Sequence, residues 1–211
     1  MLSKTVDAFD EAFDVIVVGY GFGGAVAAIN AHDAGAKVLL AEKMPNPGGI
    51  SICSGGGLRL PHDQDGTLAY LKATNDGTTP DNVLETFVDE MIQIDDYVQD
   101  LIKVNGARIK RTERPGNYTF PGYDKMYFLQ IDDIPGFEPK RDYAYANALS
   151  GGPYMFKVLQ DNIASRGIEE RLGVSAKRLI TDGTGTVTGV WLDDGGGPKA
   201  VEAKCGVILA C

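Results

Sequence analysis

The stretch "DVIVVGYGFGGAVAAINAHDAGAKVLLAE", residues 14–42, decides the fold. Val15, Ile16, Val17 and Val18 are consecutive β-branched residues, a short strand apolar on both faces as in a parallel sheet. From Gly23 to Ala34 small and apolar residues suit a helix packed closely on that strand, and Gly35 is placed to end it. Lys37 to Ala41 is a second buried strand. Strand, helix and strand in this order make a βαβ unit, the seed of an α/β sheet.

The turn inside that unit carries chemistry. Gly19-x-Gly21-x-x-Gly24 stands between strand and helix. Gly19 allows a tight turn, Gly21 lets backbone approach a pyrophosphate, and Gly24 lets the helix pack against the strand. The helix N-terminus offers unbonded N–H groups and partial positive charge to phosphates. Glu42, after the second strand, is placed to accept hydrogen bonds from ribose hydroxyls, so a free ribose diol is favoured over a 2′-phosphate. Strand, glycines, helix and acid together mark a dinucleotide site, where the glycine pattern alone would not.

Working outward, the next residues separate FAD from NAD. Glu42 is followed by Lys43, then Pro47-Gly48-Gly49, then Ser54-Gly55-Gly56-Gly57. Repeated glycine clusters suit a longer ligand whose far end must pass bare backbone, and a flavin joined to the same ADP group fits. From Lys43 to Pro61 the sequence reads as a Gly/Pro/Ser loop without helical or strand period. "GTLAYLKAT" reads as a helix. Residues 80–102 read as one long or two abutting helices, with Thr79 as N-cap and Asn105-Gly106 as the stop. Residues 107–148 show little periodicity but hold Tyr118, Tyr123, Tyr127, Tyr143 and Tyr145, as a lid or binding wall or as an aromatic cluster pinning a surface excursion. "SGGPYMFKVLQDNIASRG" reads as a helix, and "VSAKRLITD", "TVTGVWLDD", "KAVEAK" and "GVILAC" as strands, the meander turning at glycines.

Composition narrows the function classes. The chain has 211 residues and a net charge of −9, with no basic run, which excludes a typical nucleic-acid binder. No apolar stretch approaches the roughly 20 residues of a membrane span. The acidic "MLSKTVDAFDEAFD" has no apolar signal-peptide core. Cys53, Cys205 and Cys211 are widely spaced and odd in number, which argues against a disulfide framework or a metal site and for a reducing compartment, the cytoplasm.

"DVIVVGYGFGGAVAAINAHDAGAKVLLAEK", "PGGISICSGGGLRLP" and "GVILAC" together resemble the FAD-binding domain of the fumarate reductase/succinate dehydrogenase flavoprotein superfamily. "SGGGLRLP" looks most like the 3-ketosteroid dehydrogenase branch. The resemblance implies a Rossmann-type α/β fold, a parallel sheet with an antiparallel meander, across residues 1–211. Within it, 14–57 would be the dinucleotide unit and flavin loops, 60–150 a helical and aromatic insertion, and 151–211 a helix plus meander. By the same resemblance Gly19, Gly21, Phe22, Gly23 and Gly24 would hold the pyrophosphate, and Glu42 and Lys43 the adenosine. Gly48, Gly49 and Ser51 would meet the phosphates, Ser54, Gly55, Gly56 and Gly57 the isoalloxazine, and Ser175 and Ala176 the adenine. Ala210 and Cys211 fall where the family closes over the cofactor, with Cys in place of its Thr. The position of the covalent flavin His of one branch holds Ile50, Ser51 or Ile52 here, while His62 reads as a solvated loop residue.

The resemblance implies hydride transfer at a CH–CH or C=C bond next to a carbonyl, on a ketosteroid-like or unsaturated-acid substrate. Few basic residues and many tyrosines in the expected substrate wall favour an apolar or aromatic carbonyl compound, with Tyr123 the candidate catalytic residue and lid packing its alternative role. In the family a Gly-Gly turn, a capping domain and a return segment follow the strand that "GVILAC" matches. The expectation is therefore an N-terminal portion whose cap, or partner chain, lies elsewhere. A non-catalytic dinucleotide-binding or assembly module is the alternative reading, and a complete NAD-type dehydrogenase a third.

Overall fold

The computed structural model describes Val6, residues 8–147 and residues 151–211. Ser150, expected at a helix start, lies outside the described residues. In chain order the elements are β1 (Glu11–Val18), α1 (Phe22–Asp33), β2 (Val38–Glu42), β3 (Leu58–Pro61), α2 (Gln64–Asn75), α3 (Asp81–Leu101) and β4 (Arg108–Glu113). They continue with β5 (Met126–Asp133), α4 (Pro139–Asp142), α5 (Gly151–Ser165), β6 (Glu169–Leu172), β7 (Ser175–Thr181), β8 (Val187–Asp193) and β9 (Pro198–Leu209).

The main sheet has the order β6-β2-β1-β9-β8-β7. β6, β2, β1 and β9 run parallel, and β7, β8 and β9 form the antiparallel meander expected from the glycine turns. The apolar run of β1 is divided between two cores. Val17 packs with α1 and α5 through Ala25, Ala28, Ile29, Phe156 and Leu159, while Ile16 and Val18 pack with Val190, Leu192 and Val201 of the meander. Burial on both faces is why this strand shows no polar alternation. Among the described residues no helix is long and apolar enough to cross a membrane.

Four expectations are corrected. The 43–61 stretch is not all loop: Leu58–Pro61 is β3, in a second, antiparallel sheet of order β3-β5-β4. Residues 107–148 likewise contain β4 and β5. Tyr127, Leu129 and Ile131 of β5 pack toward the core, and the adjacent aromatic Phe128 on the other face blurs the alternation in sequence. "KAVEAK" and "GVILAC" belong to one strand, β9. Its register on β1 shifts between Phe13 and Val15, and Gly206, at φ +150°, accommodates the bulge that reads as a break in sequence. The end of β9 is open to solvent, with Leu209 59% exposed.

The fourth correction concerns helix starts. α3 is one 21-residue helix capped by Pro80 rather than Thr79, because Pro80 keeps an extended ψ of 143°. α2 begins before the expected Gly66, where the Asp63 carboxylate accepts the Gly66 N–H at 2.8 Å. β6, "EERL", carries no apolar signal, yet it pairs in parallel with β2 at the sheet edge.

Candidate functional site

β1, β2 and β9 end on the same side of the sheet, and a cleft of about 440 Å³ opens there. In open α/β sheets ligands bind outside the carboxyl ends of parallel strands, where connections leave in opposite directions. Its floor is the β1–α1 turn. Gly19 has φ +104°, its N–H donates to Ala41 O at 2.8 Å, and a Cβ there would lie 2.7 Å from Ala210 O. Side chains are therefore excluded where strand ends and helix meet.

The N-terminus of α1 faces this turn. Its N-cap, Gly21, has no side chain to close it. The Phe22 N–H donates to Ser51 Oγ at 3.2 Å, and the first amide bonded back into the helix is that of Ala25, to Gly21 O at 3.0 Å. The amides of Gly23 and Gly24 are left without a helical acceptor, which makes this end a receptor for anionic oxygen.

Glu42, the last residue of β2, is buried. Its Oε2 accepts from the Tyr20 N–H at 2.9 Å and its Oε1 from the Met44 N–H at 2.8 Å. Two backbone amides thus fix the carboxylate and leave its remaining lone pairs for hydroxyl donors. Opposite stand Val174, Ser175 and Ala176, held by the Val174 N–H bond to Glu42 O at 2.8 Å. Ala210 closes the far side, its N–H bonded to Val18 O at 2.8 Å.

Of the residues singled out in sequence, Gly19, Gly21, Glu42, Lys43, Gly49, Ser51, Ser175, Ala176, Ala210 and Cys211 meet around this cleft. Phe22, Gly23 and Gly24 stand behind it in α1, and Gly48 supports it through an N–H bond to Tyr20 O at 2.7 Å. Ser54, Gly55, Gly56 and Gly57 are not among its lining residues. They pack on the start of α5 and on β5: the Gly152 N–H donates to Ser54 O at 3.0 Å, and Gln130 Nε2 to Gly55 O at 3.1 Å. Tyr123 is also outside the lining. Its N–H donates to Phe120 O at 3.1 Å in a loop whose Gly122 abuts the backbone of Gly66 in α2.

Val18, Tyr20, Ala41, Met44, Ile50 and Val174 line the cleft without having been singled out. Val18, Ala41 and Val174 adjoin residues that were, and their strand-end position was the available signal. Met44 carried none, and Ile50 only its place where one branch has its covalent flavin His. Both are largely exposed at the rim. The Tyr20 ring is buried, edge-on to Phe156 at 5.4 Å, and its hydroxyl has no hydrogen-bond partner among the described residues. Burial pushes its pKa far up. His62 is not simply solvated: its Nε2 lies 2.9 Å from the Glu113 carboxylate and its ring stacks on Tyr127 at 4.6 Å.

An ADP-containing group suits these residues. A backbone cradle that any Cβ would fill, unbonded helix amides and a fixed buried acid match a pyrophosphate beside a ribose diol. Known proteins agree. The chain is 31% identical to the NADH:fumarate oxidoreductase of Klebsiella pneumoniae, over 88% of this chain and 19% of that protein. It is 30% identical to a fumarate reductase (cytochrome) of Shewanella frigidimarina, over 85% of this chain and 29% of that protein. The chain thus spans less than a third of either relative. The solved 3-ketosteroid Δ1-dehydrogenase of Sterolibacterium denitrificans shares the fold, with a TM-score of 0.80 at 22% identity over 95% of this chain and 48% of that one. Residues 14–211 match the family described as the FAD binding domain, and the chain belongs to that family, with FAD as its cofactor.

Proposed function

We propose that this chain is the cofactor-binding part of an FAD-dependent oxidoreductase acting on a CH–CH or C=C bond next to a carbonyl. The observation that carries it is the cleft at the carboxyl ends of β1, β2 and β9, with unbonded α1 amides on one side and buried Glu42 on the other. Gly19, Gly21 and the first turn of α1 would hold the pyrophosphate. Glu42 would take the ribose hydroxyls, the Ser175–Ala176 backbone the adenine, and Ser51, Ala210 and Cys211 the phosphate side. Bound FAD supplies the two-electron chemistry. The chain positions it, with backbone atoms tied to other backbone atoms. The relatives that reduce fumarate and the fold neighbour that takes a ketosteroid support a small-molecule substrate and a cap supplied by the rest of the protein or by a partner chain. Three free cysteines support a reducing, cytoplasmic setting.

The test is the visible spectrum of the purified full-length protein, followed by anaerobic flavin reduction or reoxidation with unsaturated acids and 3-ketosteroids. Flavin bands that respond to one of these support the reading. Colourless protein that takes up no added FAD overturns it, and tightly bound FAD that responds to no such compound favours a non-catalytic module.

A further inference from the structure

The outer face of the small sheet holds an arrangement that the cofactor cleft does not use. Phe128 of β5 pairs across with Arg59 of β3 and Thr112 of β4, so the three side chains share a face. Two guanidinium groups approach the Phe128 ring: Arg59 at 4.9 Å and Arg114 at 5.2 Å from its centroid. The two charges therefore lie no more than about 10 Å apart and repel each other.

Neither has an acid to offset it. Arg108, Arg111, Arg141, Arg166 and Arg171 all make ion pairs, whereas Arg59 and Arg114 make none among the described residues. Arg59 donates one hydrogen bond, to Pro115 O at 3.1 Å. Nearby acids are engaged elsewhere: Asp132 with Arg108, Glu113 with His62, Asp95 with Arg111. In a chain of net charge −9, two unpaired arginines on one aromatic ring are a local inversion of sign.

The ring also touches the third glycine cluster. A Cβ on Gly57 would lie 3.2 Å from Phe128 Cδ2. By the family resemblance that cluster would meet the isoalloxazine, the reacting end of the cofactor. We propose that Arg59, Arg114 and Phe128 form the wall that selects substrate, and that the substrate is an unsaturated carboxylic acid rather than a neutral ketone. Arg forks suit a carboxylate, and the ring face suits the flat conjugated part beside it. The inference rests on the flavoenzyme reading, and it replaces the preference for an apolar or aromatic carbonyl compound that tyrosine content suggested.

The experiment uses the FAD-loaded full-length protein. Flavin difference spectra give Kd for fumarate, cinnamate, their methyl esters and androst-4-ene-3,17-dione, and turnover gives KM and kcat. The acids are expected to bind at least about tenfold tighter than their esters. Arg59→Gln and Arg114→Gln are each expected to raise the acid Kd and KM about tenfold or more, to leave kcat within a few-fold, and to bring acid and ester together. Arg59→Lys keeps the charge and is expected to restore part of the loss. Arg114→Gln removes no hydrogen bond among the described residues, and FAD retained at the parent level shows that the variant is folded. A protein that binds no FAD overturns the flavoenzyme reading and this inference with it. A flavoprotein that responds to the ketosteroid or the esters and not to the acids, that responds to none of the compounds, or whose acid Kd is unchanged in both glutamine variants, overturns this inference alone.

Discussion

Replacing Gly24 by Ala tests whether the cleft and the fold share one weak point. The added methyl would overlap Gly19 O, reach within 3.0 Å of Gly19 C and touch the Ala210 side chain at 3.5 Å. The first two are backbone atoms, and neither strand end is free to retreat. The Gly19 N–H is tied to Ala41 O and the Ala210 N–H to Val18 O, both at 2.8 Å. Overpacking usually costs about 1–3 kcal/mol, and a rigid backbone neighbour puts this site at the top of that range. Replacing a helical glycine returns up to about 1 kcal/mol, so a net loss of about 2 kcal/mol is expected. Gly23→Ala is the control. It lies in the same turn of α1, and a Cβ there meets nothing within 4 Å, so the propensity gain stands alone. Urea denaturation of the two variants should differ by about 3 kcal/mol, and Gly24→Ala should also lose FAD affinity, because Gly19 must move. If Gly24→Ala is as stable as Gly23→Ala, the close approach of helix and strand described above is wrong.

Glu42→Gln keeps one acceptor oxygen for two backbone donors, so thermal stability should fall by about 1–2 kcal/mol and fluorescence titration should show FAD binding weakened about tenfold. Tyr20→Phe removes a buried hydroxyl without a partner among the described residues, and chemical denaturation should show a stability unchanged or higher by about 1 kcal/mol. The Asp95 carboxylate receives Arg111 and, at 2.6 Å, the Tyr127 hydroxyl. The hydrogen bond from Arg111 leads in holding the Asp95 pKa below the usual carboxylate range, against its burial, while burial first and then Asp95 push Tyr127 up to about 12. A lowered folded pKa contributes stability above the ordinary carboxylate value and loses it as pH falls through the folded one. Asp95→Asn should therefore cost about 1–3 kcal/mol at pH 7, with the gap to the parent protein closing below about pH 4. An equal gap in urea melts at pH 7 and pH 3 would refute the assignment.

The parts of the site legible in sequence are those whose physics is local. Gly19, Gly21 and Gly24 announce themselves because strand, turn and helix follow one another within a few residues. Glu42 stands at the end of the next strand. What lay hidden depends on pairing between distant segments. β6 is all polar or charged apart from Leu172, and only its place beside β2 makes it a strand. β3 and β5 each have one apolar face, but Phe128 beside Tyr127 masks the alternation, so the small sheet and its arginines were invisible. In the same way Arg59 reads as a loop residue until its pairing with Phe128 is known. Tyrosine content could be counted from sequence, but the faces those tyrosines occupy could not.

Two sheets divide the labour, and the glycines join them. In the main sheet the candidate cofactor cleft takes most of its polar groups from backbone: amides of α1, carbonyls at strand ends, and one carboxylate fixed by two amides. Such a surface discriminates little between side-chain-sized features and suits a constant ligand. The small sheet presents side chains instead, an aromatic ring between two unpaired cations, and a side-chain surface changes readily by substitution without disturbing the fold. The third glycine cluster touches both α5 and Phe128, because a Cβ on Gly56 would overlap Gly151 O and one on Gly57 would meet the ring. Its bare backbone lets α5 and the Phe128 wall approach the same loop with no side chain between them. Selectivity in this chain should therefore reside at β3, β4 and β5, and cofactor binding at β1, β2 and β9. Substitutions at Arg59 or Arg114 are expected to alter substrate affinity while leaving FAD affinity in place, and substitutions at Gly24 or Glu42 to do the reverse.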